Sequence, residues 1–497
     1  MVATVSDFFK WDILDQIYAD YLNLNLDSGE DSDRFYMAIG RTEEWDSDAT
    51  PPIPNSSRGE TLRFQESIQS MKLVPNVTYV VPRYNWTPGS VYEAWDNNYG
   101  SNTTIAPFGD IQYPYYVMTD ENNVFVCLQQ GRAANGTPKN SLFKPNDISG
   151  YPFSVGDDGY VWRYMYTIGT VEARNYLTSS YMPVEKVLDS SEGGPPYDEL
   201  STTRQKQLDI QKQAIPGELL GIALDSAGAG YTSRPQIEIV GIPIYGTQIV
   251  EAKAYANITQ GGLIGEIIMK NDSSDELYSF GANYHHASIT VTGGGGSGAT
   301  LRAITSQNPG MGADPRRDLN SSGLMFQTTL TGVEGGDFNV ENDFRQIGLI
   351  QNPLRDSAQY GSFVATGRDS ALSDPTAQAY KQLWVTSGLI ADNITGDQVV
   401  TGNNTGAQSI INYYDDEAGI LYVHQNGRTG FRAYDSAEQI TVSEGGGTAG
   451  IRENAFGPNL RPAEVNNFSG KVIYIDNRSP IDRDDEQTED IKIVIDL

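Results

Sequence analysis

Nucleophilic chemistry in this chain of 497 residues would have to pass through few side chains: one cysteine, Cys127, and three histidines, His285, His286 and His424. A thiolate nucleophile needs a base beside it. Cys127 stands in the apolar run Val124-Phe125-Val126-Cys127-Leu128, which reads as a buried strand carrying an inert thiol. His285 and His286 are adjacent, and neighbours on a strand point to opposite faces, so joint ligation of one metal is not expected. No Gly-X-Ser-X-Gly elbow occurs, and no Ser-His-Asp arrangement has local support.

The glycine run 293–298 (GGGGSG) invites comparison with a phosphate loop. That loop needs a lysine and then Ser or Thr, and it must open a helix. Here Ala299 follows and β-branched segments lie on both sides, so a flexible hairpin turn is expected. Gly445-Gly446-Gly447 reads the same way. Two carboxylate strings stand out, 27–33 (DSGEDSD) and 482–486 (DRDDE). Neither has the positions of a helix–loop–helix calcium loop, so both read as solvated acidic loops. Glycoside hydrolysis needs two carboxyl groups at a set separation in space, which the sequence does not give.

Asp and Glu total 64 against 34 Lys and Arg, a net charge of −30. Duplex DNA binding draws on cations that neutralise phosphates, and no Lys/Arg-rich run offsets the acid. Nucleic acid and anionic membranes are therefore excluded as expected partners, and basic protein surfaces are favoured. No run approaches the ~20 apolar residues of a membrane span. A single cysteine rules out an intrachain disulfide, and the first residues lack signal-peptide features. The reading is of a chain made and kept in a cytoplasm.

The elements that would position these residues are mostly strands. Phe8, Phe9, Trp11, Leu14, Ile17, Tyr18, Tyr21 and Leu22 recur at helical spacing behind a Ser6 cap, and the polar residues from Asn23 predict the helix end. Residues 35–41 read as a strand, 60–71 as a second short helix and 202–213 as a possible helix. Between 74 and 168, short β segments alternate with Pro, Gly and Asn clusters; 77–81, 115–118, 124–128 and 160–168 are the clearest, and they suggest an antiparallel sandwich or barrel. An internal repeat follows. GELLGIAL at 217–224 resembles GLIGEIIM at 262–269, and each is followed by a Gly/Tyr turn and an alternating strand. The pattern predicts two small β modules of about 45 residues, side by side. Residues 383–451 are again Gly-rich and β-branched, and a final pair of strands flanks Asp482–Glu486. The fold class expected is mainly β: a multi-domain β-sandwich core with a few short helices and inserted small β modules.

Five strings carry a resemblance: 35–45 (FYMAIGRTEEW), 81–86 (VPRYNW), 156–168 (GDDGYVWRYMYTI), 344–354 (FRQIGLIQNPL) and 469–495 (SGKVIYIDNRSPIDRDDEQTEDIKIVI). In order and kind they resemble the dimeric baseplate wedge subunit of T-even-type contractile-tail phages. The resemblance covers about 1–190, 340–356 and 460–497. On that basis residues 1–200 are the first part of a β-sandwich core with an N-terminal helix, 216–306 an inserted tandem repeat, 307–358 a return to the core, 360–458 an inserted Gly-rich module, and 460–497 the last core strands. The resemblance implies a homodimer that contacts other wedge proteins in a virion baseplate assembled in the host cytoplasm, with no catalysis and no cofactor. Trp11 and the acids Asp482, Asp484, Asp485 and Glu486 are the residues expected to meet partners. Trp45, Trp86, Trp95 and Trp162 are expected in the core. The β repeats and 29 tyrosines leave a second expectation open, a receptor- or glycan-binding tail appendage.

Overall fold

Strands form in this chain where apolar and β-branched runs are closed by glycine and asparagine turns. The computed structural model describes every residue except 1–5, 27–33, 100–112, 276, 307, 341, 357–370, 436–437 and 454–459. The acidic string 27–33 thus lies outside the described residues. The fold is mainly β, with several antiparallel sheets and few short helices. The chain forms two compact units, each discontinuous in sequence. The first is Met1–Leu14, Thr78–Met325 and Val494–Leu497; the second is Asp15–Val77 and Phe326–Ile493.

In the first unit, Tyr116–Met118, Asn123–Gln129 and Val161–Thr167 make a three-stranded sheet. Its middle strand is buried from Val124 to Leu128, so it reads as a continuous apolar run with no alternation. Tyr92, Phe125, Tyr160, Trp162 and Tyr164 fill the core with Cys127 among them. Tyr92 meets Trp162 edge-on at 5.4 Å between ring centroids. Helix Thr202–Gln213 forms where expected, with the Ser201 hydroxyl accepting the Arg204 N–H. The N-terminal helix, Asp7–Leu26, runs past Asn23; the helix-favouring Leu22, Leu24 and Leu26 outweigh the intervening asparagines.

The repeat does not give two modules side by side. Its strands pair between copies: Leu219–Ala229 with Ser297–Thr305, Gln236–Pro243 with Tyr284–Thr292, and Tyr255–Ile258 with Ile264–Ile268. The first strand of each copy pairs with the last strand of the other, and the two middle strands pair together. Exchanging the copies leaves this pattern unchanged, which is the signature of an internal pseudo-two-fold. The turns repeat it. Gly228 and Gly281 have φ of +61° and +60°, and Gly230 and Asn283 have φ of +79° and +66°. A three-stranded copy alone would leave an apolar face and strand edges open. Interleaving closes both copies on one core, built on Tyr231, Ala256, Ile264 and Ile267. The glycine run is a turn, as expected, but not a hairpin, because the strands it joins pair elsewhere.

In the second unit, one sheet has the order Thr376–Gln378, Ile68–Leu73, Phe35–Gly40, Phe344–Gln351, Lys471–Ile481. Three of the five strings that carry the resemblance are therefore neighbouring strands. Phe35–Gly40 is buried at every position. Helix Arg58–Glu66 sets Phe64 on this sheet directly over Gly348, where a Cβ would stand 2.2 Å from the ring. The helix expected over 60–71 stops early. Ser67 turns its N–H and hydroxyl onto the Phe64 carbonyl, both at 3.1 Å, and Ile68–Leu73 pairs with Phe35–Gly40. A six-stranded antiparallel sheet from the Gly-rich region packs Leu383, Val400, Ile411, Leu421, Val423 and Ile440. The two strands around the acidic turn do not pair together. Lys471–Ile481 pairs with Phe344–Gln351, while Thr488–Asp496 runs beside Gly323–Thr331.

Candidate functional site

The acidic turn is the sequence-predicted site that the fold presents to solvent. Asp482, Asp484, Asp485 and Glu486 are all exposed. Arg483, the one cation among them, has no exposed side-chain area. Its Nε donates to Glu489 Oε2 at 2.8 Å and its Nη2 to the Gly332 carbonyl at 2.7 Å. The guanidinium carbon lies 5.6 Å from the Phe338 ring centroid. The Gly332 N–H in turn donates to the Gln487 carbonyl at 2.9 Å. Drawing the cation inward fixes the turn and leaves the four carboxylates without an ion-pair partner among the described residues. Such a surface attracts cationic groups, and salt screens it.

Trp11 sits differently. Its ring is buried, and its indole N–H donates to the Ser321 carbonyl at 2.9 Å. Phe8 meets it edge-on at 5.6 Å, and the Arg317 guanidinium stands 5.4 Å above it. The rings this helix leaves in solvent are Phe8 and Phe9. Trp95 and Trp162 are buried, and the Trp95 N–H donates to the Asp318 carbonyl. Trp45 and Trp86 are half-buried, with their N–H groups on the Arg478 carbonyl and the Ser141 hydroxyl.

The sequence reading missed the buried polar groups. Arg345 is the second residue of the fourth string. It donates to both Asp48 oxygens through Nε and Nη2, and to Asp343 and the Thr42 carbonyl through Nη1. Those bonds hold the Asp48 carboxyl below its usual range. Arg41 stacks on Trp45 at 3.8 Å. Together with the Trp45 N–H on the Arg478 carbonyl and the pairing of Phe344–Gln351 with Lys471–Ile481, these contacts join the first, fourth and fifth strings, so much of what carries the resemblance holds the fold. His424 is buried, with Nδ1 3.0 Å from Asn412 Oδ1 and Nε2 3.9 Å from Glu43 Oε2; burial lowers its pKa. Nearby, burial pushes Asp397 up to about 6. In the first unit, Arg163 and Glu218 form a buried two-bond pair at 2.6 and 2.9 Å. The available signal was an arginine inside an apolar strand, in VWRYMYT and FRQIGLI, since a buried charge demands a partner.

Cys127 is buried, and burial raises its thiol pKa, which opposes thiolate formation. A β-bulge at Tyr284/His286 interrupts the alternation, and both His285 and His286 are exposed. Among the described residues no three His, Cys, Asp or Glu are grouped to hold a metal ion, and no helix is long and apolar enough to cross a membrane. Neither a protein-family model nor a curated protein matches the chain.

Proposed function

We propose that this protein is a non-catalytic structural subunit of a contractile-tail baseplate wedge, acting as a homodimeric scaffold that contacts other wedge proteins. The observation that carries the reading is the set of five ordered strings, and above all the last, whose DRDDE segment forms a fixed, solvent-facing acidic turn. In this reading Asp482, Asp484, Asp485 and Glu486 dock a basic patch of a neighbouring subunit. The work is done by contacts between rigid β bodies, and interfaces that break and re-form let such an assembly rearrange. Assembly takes place in the host cytoplasm, and the chain ends in the virion tail. The role is one of contact, with no cofactor, nucleic acid or membrane as partner.

The test is location. Immunogold labelling of tailed particles assembled with this chain is expected to mark the baseplate. Label at fibre tips would replace the reading with the receptor-binding appendage, and unlabelled particles would overturn both. Light scattering on the purified chain is expected to give twice the 54.4 kDa mass of one chain.

A further inference from the structure

We infer that a cleft in the first unit docks an extended segment of a partner protein that carries an aromatic or long aliphatic side chain beside a Lys or Arg. The cleft has a volume of about 670 Å³ and lies between the C-terminal end of helix Thr202–Gln213 and the loops at Tyr151 and Leu277. That is room for several side chains, within the range of built binding pockets. Its floor is apolar and buried, with Ile210, Phe280 and Met311. Its rim is apolar and wet: Tyr151 is 65% exposed, Leu277 82% and Val250 58%. Single exposed apolar side chains are ordinary, but three around one cleft mark an interaction surface.

The charge at the mouth selects the occupant. Arg163 lines the cleft, but Glu218 takes up its guanidinium through both bonds, so the pair presents little net field. Glu251 adds a carboxylate to the lining. The residues at the carbonyl end of the helix, Gln213 and Ala214, also line it, and that end of a helix carries partial negative charge. Lys270 sits over the Tyr278 ring, 4.5 Å from its centroid, and is not one of the lining side chains. An anionic ligand would meet like charge here, and a small cation would leave the rim in water. A basic residue next to an apolar anchor satisfies both features. The cleft owes nothing to the scaffold reading and goes beyond it; that reading stands or falls on the labelling experiment.

The test uses the full chain and fluorescence anisotropy with three labelled peptides, GKFRLKG, GEFELEG and GKSRSKG. The first is expected to bind, and the other two to bind at least roughly tenfold more weakly. Tyr151→Ala, Leu277→Ser and Glu251→Lys change exposed or rim positions. Each is expected to weaken the first peptide about fivefold or more while circular dichroism stays unchanged. Equal binding of all three peptides, no binding of the first, or unchanged affinity in all three variants would overturn the proposal. Displacement of the first peptide by neutral oligosaccharides would also overturn it, in favour of a sugar site.

Discussion

The Tyr284 amide donates to the Gly217 carbonyl at 3.0 Å, and the repeat supplies its mirror: the Tyr231 amide donates to the Gly262 carbonyl at the same distance. Each copy's Gly/Tyr turn thus clamps the start of the other copy. Both glycines have positive φ, +61° and +69°. A Cβ at Gly217 would stand 2.5 Å from the Tyr284 carbonyl oxygen, and one at Gly262 3.0 Å from that of Tyr231. Gly217→Ala and Gly262→Ala should each destabilise by more than about 1 kcal/mol, with Gly217→Ala the worse. Denaturant titration followed by tyrosine and tryptophan fluorescence checks the order. Indifference to both substitutions would contradict the interlock.

Trp11→Ala removes a buried ring and its bond to Ser321, and should cost about 3–5 kcal/mol. Phe9→Ala, on the exposed side of the same helix, should change monomer stability by no more than about 0.5 kcal/mol. Thermal melts of the two variants distinguish a packed Trp11 from one held for a partner.

Arg483→Ala leaves the Gly332 carbonyl without its side-chain donor and Glu489 with the Gln487 amide in place of a cation, and should cost about 3 kcal/mol, as removal of one partner of a buried pair does. Replacing Asp484, Asp485 and Glu486 together by Asn, Asn and Gln should leave the melting temperature nearly unchanged, while lowering binding to a basic protein surface and flattening its salt dependence. Calorimetry for the first and an ion-exchange retention series for the second would check the division between anchor and surface.

Burial pushes the Asp318 carboxyl up to about 8; the Gly312 N–H bond, at 2.7 Å, and the charge of Arg163 oppose this, while Asp314 adds to it. An unfolded aspartate titrates near ~3.9. Between these values the folded chain holds a proton that the unfolded chain has lost, so this group's contribution to stability falls as pH rises from about 4 through about 8. Asp318→Asn mimics the protonated form and should remove that part of the slope. Urea midpoints at acidic, neutral and alkaline pH would show it, and a variant with the wild-type slope would refute it.

Legibility tracked how local the cause was. Val124 to Leu128 read as a strand because five consecutive apolar residues require burial on both faces. Residues 68–71 did not. Their pattern suits a helix, and only pairing with Phe35–Gly40 makes them a strand. The repeat was visible, but its outermost strands pair across about 70–90 residues, as with Leu219 and Thr305, and no local pattern encodes that choice. The acidic turn was found by charge alone. The burial of Arg483 was not, because it depends on Gly332 and Phe338, distant in sequence. Trp11 shows the reverse error, since aromatic character on a terminal helix does not say which rings stay in solvent.

The interleaved repeat has a consequence for heredity. Neither half of residues 217–305 owns a complete set of strand partners. A recombination joint between the copies would hand the recipient an unsatisfied half, whereas joints outside them would transfer a closed body. Selection should therefore pass this segment between genes as an undivided pair, and drift in one copy should be answered by change in the other.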